Sequence, residues 1–273
     1  MEAALFGIFG LIVGSFLNVL ILRHGVRSLG GRSACPHCER TLRWYELIPV
    51  FSYIALRARC RSCKARISPQ YVIVELLTGA LFLMIGAAPI ELIARLIALA
   101  IAALLLAIAV YDLYHTIIPD RWVYSAGGLA ILALFLTPVP IPTLLWFIAA
   151  GPLAALPLFA LWALSRGRWM GFGDVKLALV MGWLLGVSDG VQAVFLAFVI
   201  GALVSVCVLL PLPSIIARLR TWGIARSDGG KSYTMKSEVP FGPFLIASCF
   251  LVWLTQMYGI EIPLILPLGG LPL

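Results

Sequence analysis

The sequence predicts an all-α protein that crosses a membrane several times. Of its 273 residues, 62% are hydrophobic and only 12% are charged, with a mean hydropathy of +1.04. A soluble domain carries about 25% charged residues, so this composition excludes an ordinary soluble enzyme. The apolar runs are too long and too uniform for barrel strands, which leaves helices as the structures that satisfy their backbone in lipid.

Eight apolar runs approach the length that a membrane-spanning helix needs, about 20 residues. They occupy 3–22, 70–88, 92–111, 121–137, 143–164, 175–187, 190–212 and 239–258, and the sixth is short for a full span. The first run lacks a basic start and a small-residue cleavage site, so we expect it to be retained. The chain then divides into a first helix (1–22), a polar loop (23–69) and a membrane-embedded core (70–273).

The distribution of Lys and Arg predicts the orientation. With the N-terminus outside, the cytoplasmic segments and their adjoining span ends hold 19 of the 20 basic residues; these segments are 23–69, 112–120, 165–174 and 213–238. Basic residues accumulate on the cytoplasmic side, so the net charge of +8 indicates topology, and no nucleic-acid partner is predicted. Arg95 is the exception, at a spacing from Glu91 that allows an ion pair on a helix.

The first polar loop contains two CxxC pairs, Cys35-Pro36-His37-Cys38 and Cys60-Arg61-Ser62-Cys63, separated by 21 residues. This spacing fits a tetrahedral structural zinc site with four thiolate ligands, and it leaves His37 outside the metal shell. Basic neighbours favour thiolates and offset the charge of such a centre; they are Arg32, Arg40, Arg59, Arg61 and Lys64. Two disulfides are the alternative, which a cytoplasmic location disfavours because thiols stay reduced there.

Two acidic residues border the apolar runs. Asp112 directly follows the third run, and Asp174 precedes the sixth in Gly171-Phe172-Gly173-Asp174-Val175-Lys176. Two predicted spans separate them, so the even number of crossings returns Asp174 to the same, cytoplasmic face. Two carboxylates brought together share a proton, and such a pair can activate water while polarising a peptide carbonyl.

The residues around these acids leave several alternatives open. Gly171 and Gly173 are expected to allow a positive φ or the close approach of another segment, which would aim Asp174 toward Asp112. The alternative is a polar loop in which Asp174 caps the following helix. Asp120 follows Pro119 at a predicted helix start, which favours capping, and His115 either faces the acids or tethers its helix to the headgroup region.

Motifs along nearly the whole chain carry a family resemblance. They are GSFLNV (14–19), RSACPHC (32–38), IPVFSY (48–53), RCRSC (59–63), ISPQY (67–71), IPD (118–120), GFGDVK (171–176) and VPFGPF (239–244), with Glu75 and Asp112 between them. In this order and spacing the chain resembles the type IV prepilin peptidases, which are GxGD intramembrane aspartic proteases. Serine-protease GxSxG and zinc-protease HExxH motifs do not occur.

The resemblance implies an inner-membrane, multi-pass enzyme with Asp112 and Asp174 as catalytic residues. Its expected substrates are prepilins or pseudopilins of pilus, secretion or competence systems, whose short basic leader is cut on the cytoplasmic side. Many members also methylate the new N-terminus with S-adenosylmethionine, an activity associated with the loop 23–69. Here the segment 46–49 reads Glu-Leu-Ile-Pro where many bifunctional members have Asn-Ile-Pro, which resembles competence-type peptidases.

Other functions remain as alternatives at this stage. Glu75 could hold a substrate amine or form a salt bridge with the basic loop, and Lys176 and the two glycines are expected to support Asp174. A small transporter or channel would use the aspartates to bind a cation or relay protons. A non-catalytic scaffold would use the cysteine loop as an interaction module. Neither alternative explains two acids at matched depth beside a glycine pair.

Overall fold

A computed structural model describes residues 2–26, 28, 30–136, 140–209 and 240–260 of the chain. Its α-helices are α1 (Glu2–Arg23), α2 (Phe51–Ala55), α3 (Gln70–Ala87), α4 (Leu92–His115), α5 (Asp120–Leu136), α6 (Ile141–Ser165), α7 (Phe172–Leu185), α8 (Val187–Val204) and α9 (Gly242–Met257). A 3₁₀ turn spans Trp44–Leu47, and a π-helical turn spans Ser205–Leu209. The described residues contain no β-strand, which confirms the predicted all-α fold.

The apolar runs fold as helices because lipid leaves the backbone no other partners. Each predicted run contains a helix, although the runs 121–137, 190–212 and 239–258 extend beyond the described residues. The predicted cytoplasmic segment 213–238 lies wholly outside them. Among the described residues, five helices are long and apolar enough to cross a membrane: Glu2–Arg23, Gln70–Ala87, Leu92–His115, Ile141–Ser165 and Val187–Cys207. The chain is therefore a multi-pass helical protein.

Glycines bring α1 and α3 into direct backbone contact. A Cβ at Gly10 would lie 2.6 Å from Cβ of Phe82 and 2.7 Å from the carbonyl oxygen of Thr78. On the same pair of helices, Gly79 faces Leu11, so small residues alternate with large ones across the interface. Small residues of this kind drive helix association in lipid, because close backbone approach maximises dispersion contacts.

A second close-packed interface joins α6, α7 and α8. Gly182 of α7 packs on the backbone of Ala150 and Gly151, and Gly190 of α8 packs on Ala154. Gly186, with φ 86°, is the single residue between α7 and α8, and only glycine adopts this φ without strain. The chain therefore changes direction between α7 and α8 within a single residue.

Helix α4 lies at the centre of the bundle and packs against α1, α3, α5 and α9. Ala102, Leu105 and Ile108 on it are fully buried. At its first turn, Arg95 donates to the carbonyl oxygens of Ala88 and Ile90 at 3.0 and 2.9 Å. The ion pair predicted between Arg95 and Glu91 is therefore replaced by hydrogen bonds to the carbonyls that connect α3 with α4.

Replacing Gly10 by alanine should lower the melting temperature of the purified protein in detergent. The added methyl group would overlap α3, and overpacking of this kind costs about 1–3 kcal/mol. Gly128→Ala is the matched control, because a Cβ at this helical glycine meets nothing within 4 Å. Equal melting temperatures for the two variants would contradict the packing described here.

Candidate active site and metal centre

Asp112 lies in the last turn of α4 and is buried, with 4% of its surface exposed. The backbone N–H of Gly242, the first residue of α9, donates a hydrogen bond to its carboxylate. A Cβ at Gly242 would lie 2.5 Å from Oδ2 of Asp112. Glycine thus lets the start of α9 approach the carboxylate, where unpaired N–H groups and the helix dipole stabilise negative charge.

Asp174 is the third residue of α7 and is also buried. Its carboxylate accepts a hydrogen bond from the backbone N–H of Gly171, the N-cap residue of the same helix. That hydrogen bond is one half of a capping box. Asp174 therefore does cap its own helix, as the alternative interpretation predicted, in addition to its interaction with Asp112. The same carboxylate also interacts electrostatically with Asp112, which brings the two predicted acids together at one end of the bundle.

Ile118 holds the three segments of this site in place. It lies between α4 and α5. A Cβ added at either Gly173 or Gly242 would lie 3.3 Å from the Cδ1 atom of Ile118. A Cβ at Gly173 would come within 3.0 Å of Cβ of Ile118. The starts of α7 and α9 therefore both pack on this one side chain, next to Asp112.

The two glycines before Asp174 act differently from one another. Positive φ, one of the two alternatives that we expected, occurs at neither residue: Gly171 has φ −75° and ψ 151°, and Gly173 is not among the residues with positive φ. The positive-φ alternative is therefore wrong at both positions. Gly173 instead permits the close approach of Ile118, whereas a Cβ at Gly171 would meet nothing nearer than 3.9 Å.

Three glycine-to-alanine variants should therefore rank by what the added methyl group meets. Gly242→Ala should reduce substrate cleavage most, Gly173→Ala should reduce it roughly tenfold, and Gly171→Ala should be nearly silent, because a displacement of about 1 Å can cost about 100-fold. The measurement is the cleavage rate of a prepilin-like peptide at equal membrane abundance. A Gly171→Ala variant as impaired as Gly173→Ala would contradict the ranking.

Lys176 and Asp120 form an ion pair beside the site. The Nζ atom of Lys176 donates to Oδ1 of Asp120 at 2.7 Å, and it also lies 5.5 Å from the ring centroids of Tyr124 and Phe172. The pair links the second turn of α7 to the first residue of α5. It therefore supports the alignment of the Ile118-Pro119-Asp120 turn with the start of α7.

Glu75 joins the polar loop to the membrane helices through a backbone group. This buried residue of α3 accepts a hydrogen bond from the backbone N–H of Val50 at 2.7 Å, and another from the side chain of Ser15. The ion pairs found among the described residues, Arg40–Glu46 and Lys176–Asp120, do not include it. Its carboxylate fastens the polar loop to α1 and α3 instead of pairing with the loop's basic residues.

Other parts of the site were not assigned a role from the sequence. The contact of Gly242 with Asp112 and the packing of Ile118 both depend on how distant helices meet. Ile118 lies in the IPD motif and Gly242 in the VPFGPF motif. The one sequence feature that could have indicated the contact with Asp112 is a glycine near the start of a predicted span. His115 is exposed, and its ring lies on Tyr111 with centroids 4.3 Å apart.

The four loop cysteines form one cluster. Their sulfur atoms all lie within 4.8 Å of one another, with Cys35 to Cys63 at 3.8 Å and Cys38 to Cys60 at 4.0 Å. All four are free thiols. The backbone N–H groups of Cys63 and Ser62 lower the pKa of the Cys60 thiol to about 6, which favours the thiolate that a metal needs.

The two CxxC segments fold into the same short hairpin. In the first, the N–H of Cys35 donates to the carbonyl of Arg40, and that of Glu39 donates to Cys35. In the second, Cys60 and Lys64 make the equivalent bonds to Ala65 and Cys60. An antiparallel bridge closes each hairpin, and each hairpin thereby turns two sulfur atoms toward the same point.

The carboxylate of Glu46 fixes the segment that follows the first hairpin. The buried carboxylate of Glu46 accepts from the backbone N–H of Arg43 at 2.8 Å and from Nη2 of Arg40 at 2.6 Å. The hydrogen bond from the backbone N–H of Arg43 is the main cause that holds the pKa of Glu46 below its usual value, and the hydrogen bond from Arg40 adds to it. A hairpin residue is thereby joined to the 3₁₀ turn that leads toward α2.

The described part of the chain is thus a helical membrane bundle with two buried aspartates, Asp112 and Asp174, at one end. Residues 8–88 match the bacterial peptidase A24 N-terminal domain, and residues 99–206 match the type IV leader peptidase family. The chain belongs to the type IV leader peptidase family.

Similar curated proteins span most of the chain. A prepilin leader peptidase/N-methyltransferase of Burkholderia pseudomallei is 32% identical over 90% of this chain and 83% of its own length. Proteins of the same name from Dichelobacter nodosus and Bacillus subtilis are 30% and 32% identical, over 94% and 90% of this chain and 91% and 92% of their own lengths. No solved structure matches.

Proposed function

We propose that this chain cleaves the leader from prepilin-like proteins, with Asp112 and Asp174 as the catalytic pair. The observation that carries the assignment is the electrostatic interaction of these two buried carboxylates, each held by a backbone N–H from the start of a helix. The relatives' names supply the substrate class, and the family supplies the reaction, hydrolysis of a peptide bond.

The chemistry follows from a carboxylate pair that holds one proton. The ionised member removes a proton from a water molecule, whose oxygen attacks the scissile carbonyl carbon. The protonated member donates its proton to the carbonyl oxygen, so a neutral tetrahedral diol forms. When the diol collapses, the C–N bond breaks, the nitrogen takes a proton from one carboxyl group, and a hydroxyl of the diol gives its proton to the other carboxylate. The pair therefore again holds one proton and is ready for another cycle.

The position of the pair suits a substrate that is itself a membrane helix. Both acids lie at helix ends, where the bilayer core gives way to the headgroup region in the topology we propose. In that topology all eight long helices cross the membrane, including the 14-residue α7, with the N-terminus outside and the acids on the cytoplasmic side. A prepilin helix lying alongside would present its leader junction at this level.

A transporter that uses the two acids to carry protons or cations is not favoured. The relatives over most of the chain are named as peptidases, and peptide hydrolysis needs the paired arrangement described above. Proton relay requires no such pairing, because single acids spaced along a path suffice.

Each single substitution Asp112→Asn or Asp174→Asn should lower cleavage by at least roughly 1,000-fold, and the double variant should be little worse, because groups acting as one unit are non-additive. Asp120→Asn is the matched control. Its side chain is 56% exposed, and surface ion pairs of this kind contribute about 0–1 kcal/mol.

The assay uses the purified full chain with a peptide carrying a short basic leader before an apolar helix, read by mass spectrometry. Substantial leader removal by either catalytic-site variant at normal membrane abundance would show that the pair is assigned wrongly. A loss in Asp120→Asn as large as in Asp112→Asn would indicate that the wrong first acid was chosen.

We propose further that the four cysteines hold one structural zinc ion. The cluster fits the metal because four sulfur atoms from two preformed hairpins surround one point, as a closed tetrahedral site requires. The ion would join the two hairpins of a loop that has little apolar core. It supplies no step of the hydrolysis.

Metal analysis of protein purified anaerobically should therefore give about one zinc per chain. Cys35→Ser combined with Cys60→Ser should abolish metal binding and lower the melting temperature, since one ligand is lost from each hairpin. Cys207→Ser is the control, because this free cysteine lies outside the cluster. Two disulfides and no bound metal would refute the zinc site.

The relatives' names also include N-methyltransferase, which implies S-adenosylmethionine as a second cofactor. An open cavity beside the second hairpin is lined by Arg57, Arg59, Arg61 and Lys64, and this positive lining does not suit a sulfonium cation. Adding the methyl donor to the cleavage assay tests the activity directly, by the mass gain of one methyl group on the product.

A further inference from the structure

The polar loop carries a row of exposed apolar side chains that the active site and the cysteine cluster do not use. Trp44, Phe51 and Ile54 are 78%, 66% and 67% exposed, and Leu47 and Ile48 between them are also exposed. They occupy the 3₁₀ turn Trp44–Leu47, the helix α2 and their connection, here called the apolar segment (44–55). Contiguous exposed apolar surface of this kind marks an interaction surface.

The attachment of this segment places it beside the membrane helices. The backbone N–H of Val50 donates to Glu75, which is the sixth residue of α3 and therefore lies about 8 Å along the helix from its start. Val50 has φ 60°, a strained value for a β-branched residue, so the contact fixes an otherwise unfavourable backbone. The apolar segment thus lies level with the second turn of a membrane span.

The same segment leads directly into a strongly basic cavity. α2 ends at Ala55, and an open cavity of about 620 Å³ follows, lined by Ala55, Leu56, Arg57, Arg59, Cys60, Arg61 and Lys64. Arg61 is fixed by a hydrogen bond of 2.7 Å to the hydroxyl of Tyr45, next to Trp44. Apolar and cationic surfaces are therefore adjacent and held in one orientation.

We propose that this loop docks on the bilayer and binds an anionic phospholipid. The apolar segment enters the acyl boundary through Trp44, Phe51 and Ile54, and the cavity binds the phosphate-bearing headgroup through Arg57, Arg59 and Lys64. An apolar helix face flanked by basic residues is the pattern of segments that lie in the membrane interface. The proposal rests on the proposed topology, in which both loop ends join membrane-spanning helices.

The test places the photo-crosslinker p-benzoylphenylalanine at position 51 of the full chain in nanodiscs. The bilayer is phosphatidylcholine with a minor fraction of phosphatidylglycerol, and mass spectrometry identifies the adducts. The matched control carries the same probe in place of Phe135, an exposed phenylalanine near the far end of α5. Both probes should form lipid adducts, and only the probe at position 51 should be enriched in phosphatidylglycerol relative to the bilayer.

Charge variants then test the headgroup cavity. Arg57→Gln combined with Lys64→Gln should remove most of this enrichment, since each basic residue near an anionic surface contributes roughly fivefold. Arg166→Gln combined with Arg168→Gln removes the same charge from the α6–α7 connection and should leave the enrichment unchanged.

Other outcomes overturn the proposal. Adducts at position 51 with an added prepilin peptide, or with another part of the chain, would assign the segment to the substrate or to intramolecular packing. Lipid adducts without phosphatidylglycerol enrichment would refute the headgroup site. Leader cleavage is measured on the same nanodiscs, so a failed lipid contact with intact cleavage refutes this inference and leaves the peptidase function standing.

Discussion

The structure depends on keeping two interacting carboxylates buried at the end of a helical bundle. A charged side chain near the membrane interior costs about 2.5–3.5 kcal/mol even on insertion scales, and a second carboxylate nearby makes ionisation of both members harder still. The chain offsets the cost with backbone groups, since Asp112 and Asp174 accept N–H groups at the starts of α9 and α7. Helix starts are suitable because their first N–H groups have no partner within the helix.

This constraint explains why glycines occur where the helices meet. A side chain at position 242 would separate α9 from Asp112, and one at position 173 would push α7 from Ile118. The α1–α3 interface uses glycine for another purpose, because it positions Glu75 beside Ser15 and thereby fixes the polar loop. Close helix packing is therefore the means by which both the acids and the loop are positioned.

The sequence indicates the elements well and their contacts poorly. Hydropathy predicts the helices because lipid permits few other structures, and counting spans places Asp112 and Asp174 at the same end without any motif. The spacing of Cys35, Cys38, Cys60 and Cys63 indicates their cluster because short turns have few geometries. The partners of Glu75 and Arg95 were not predictable, since each depends on where a distant backbone group lies after packing. For the same reason the local pattern could not decide between positive φ and close approach at Gly173, because the approach of Ile118 depends on tertiary packing.

The cysteine loop has a symmetry that its sequence lacks. Two hairpins with the same hydrogen-bond register face each other across the sulfur cluster, and each has a left-handed residue after its second cysteine, Glu39 with φ 54° and Lys64 with φ 57°. The backbones of the two hairpins are therefore alike, whereas their side chains differ. Glu39 gives the first hairpin an acid where Lys64 gives the second a base, and the basic cavity is lined by residues in and just before the second hairpin. A cluster of four equivalent sulfur atoms therefore joins two halves of different charge, so the loop presents its cationic side in one direction.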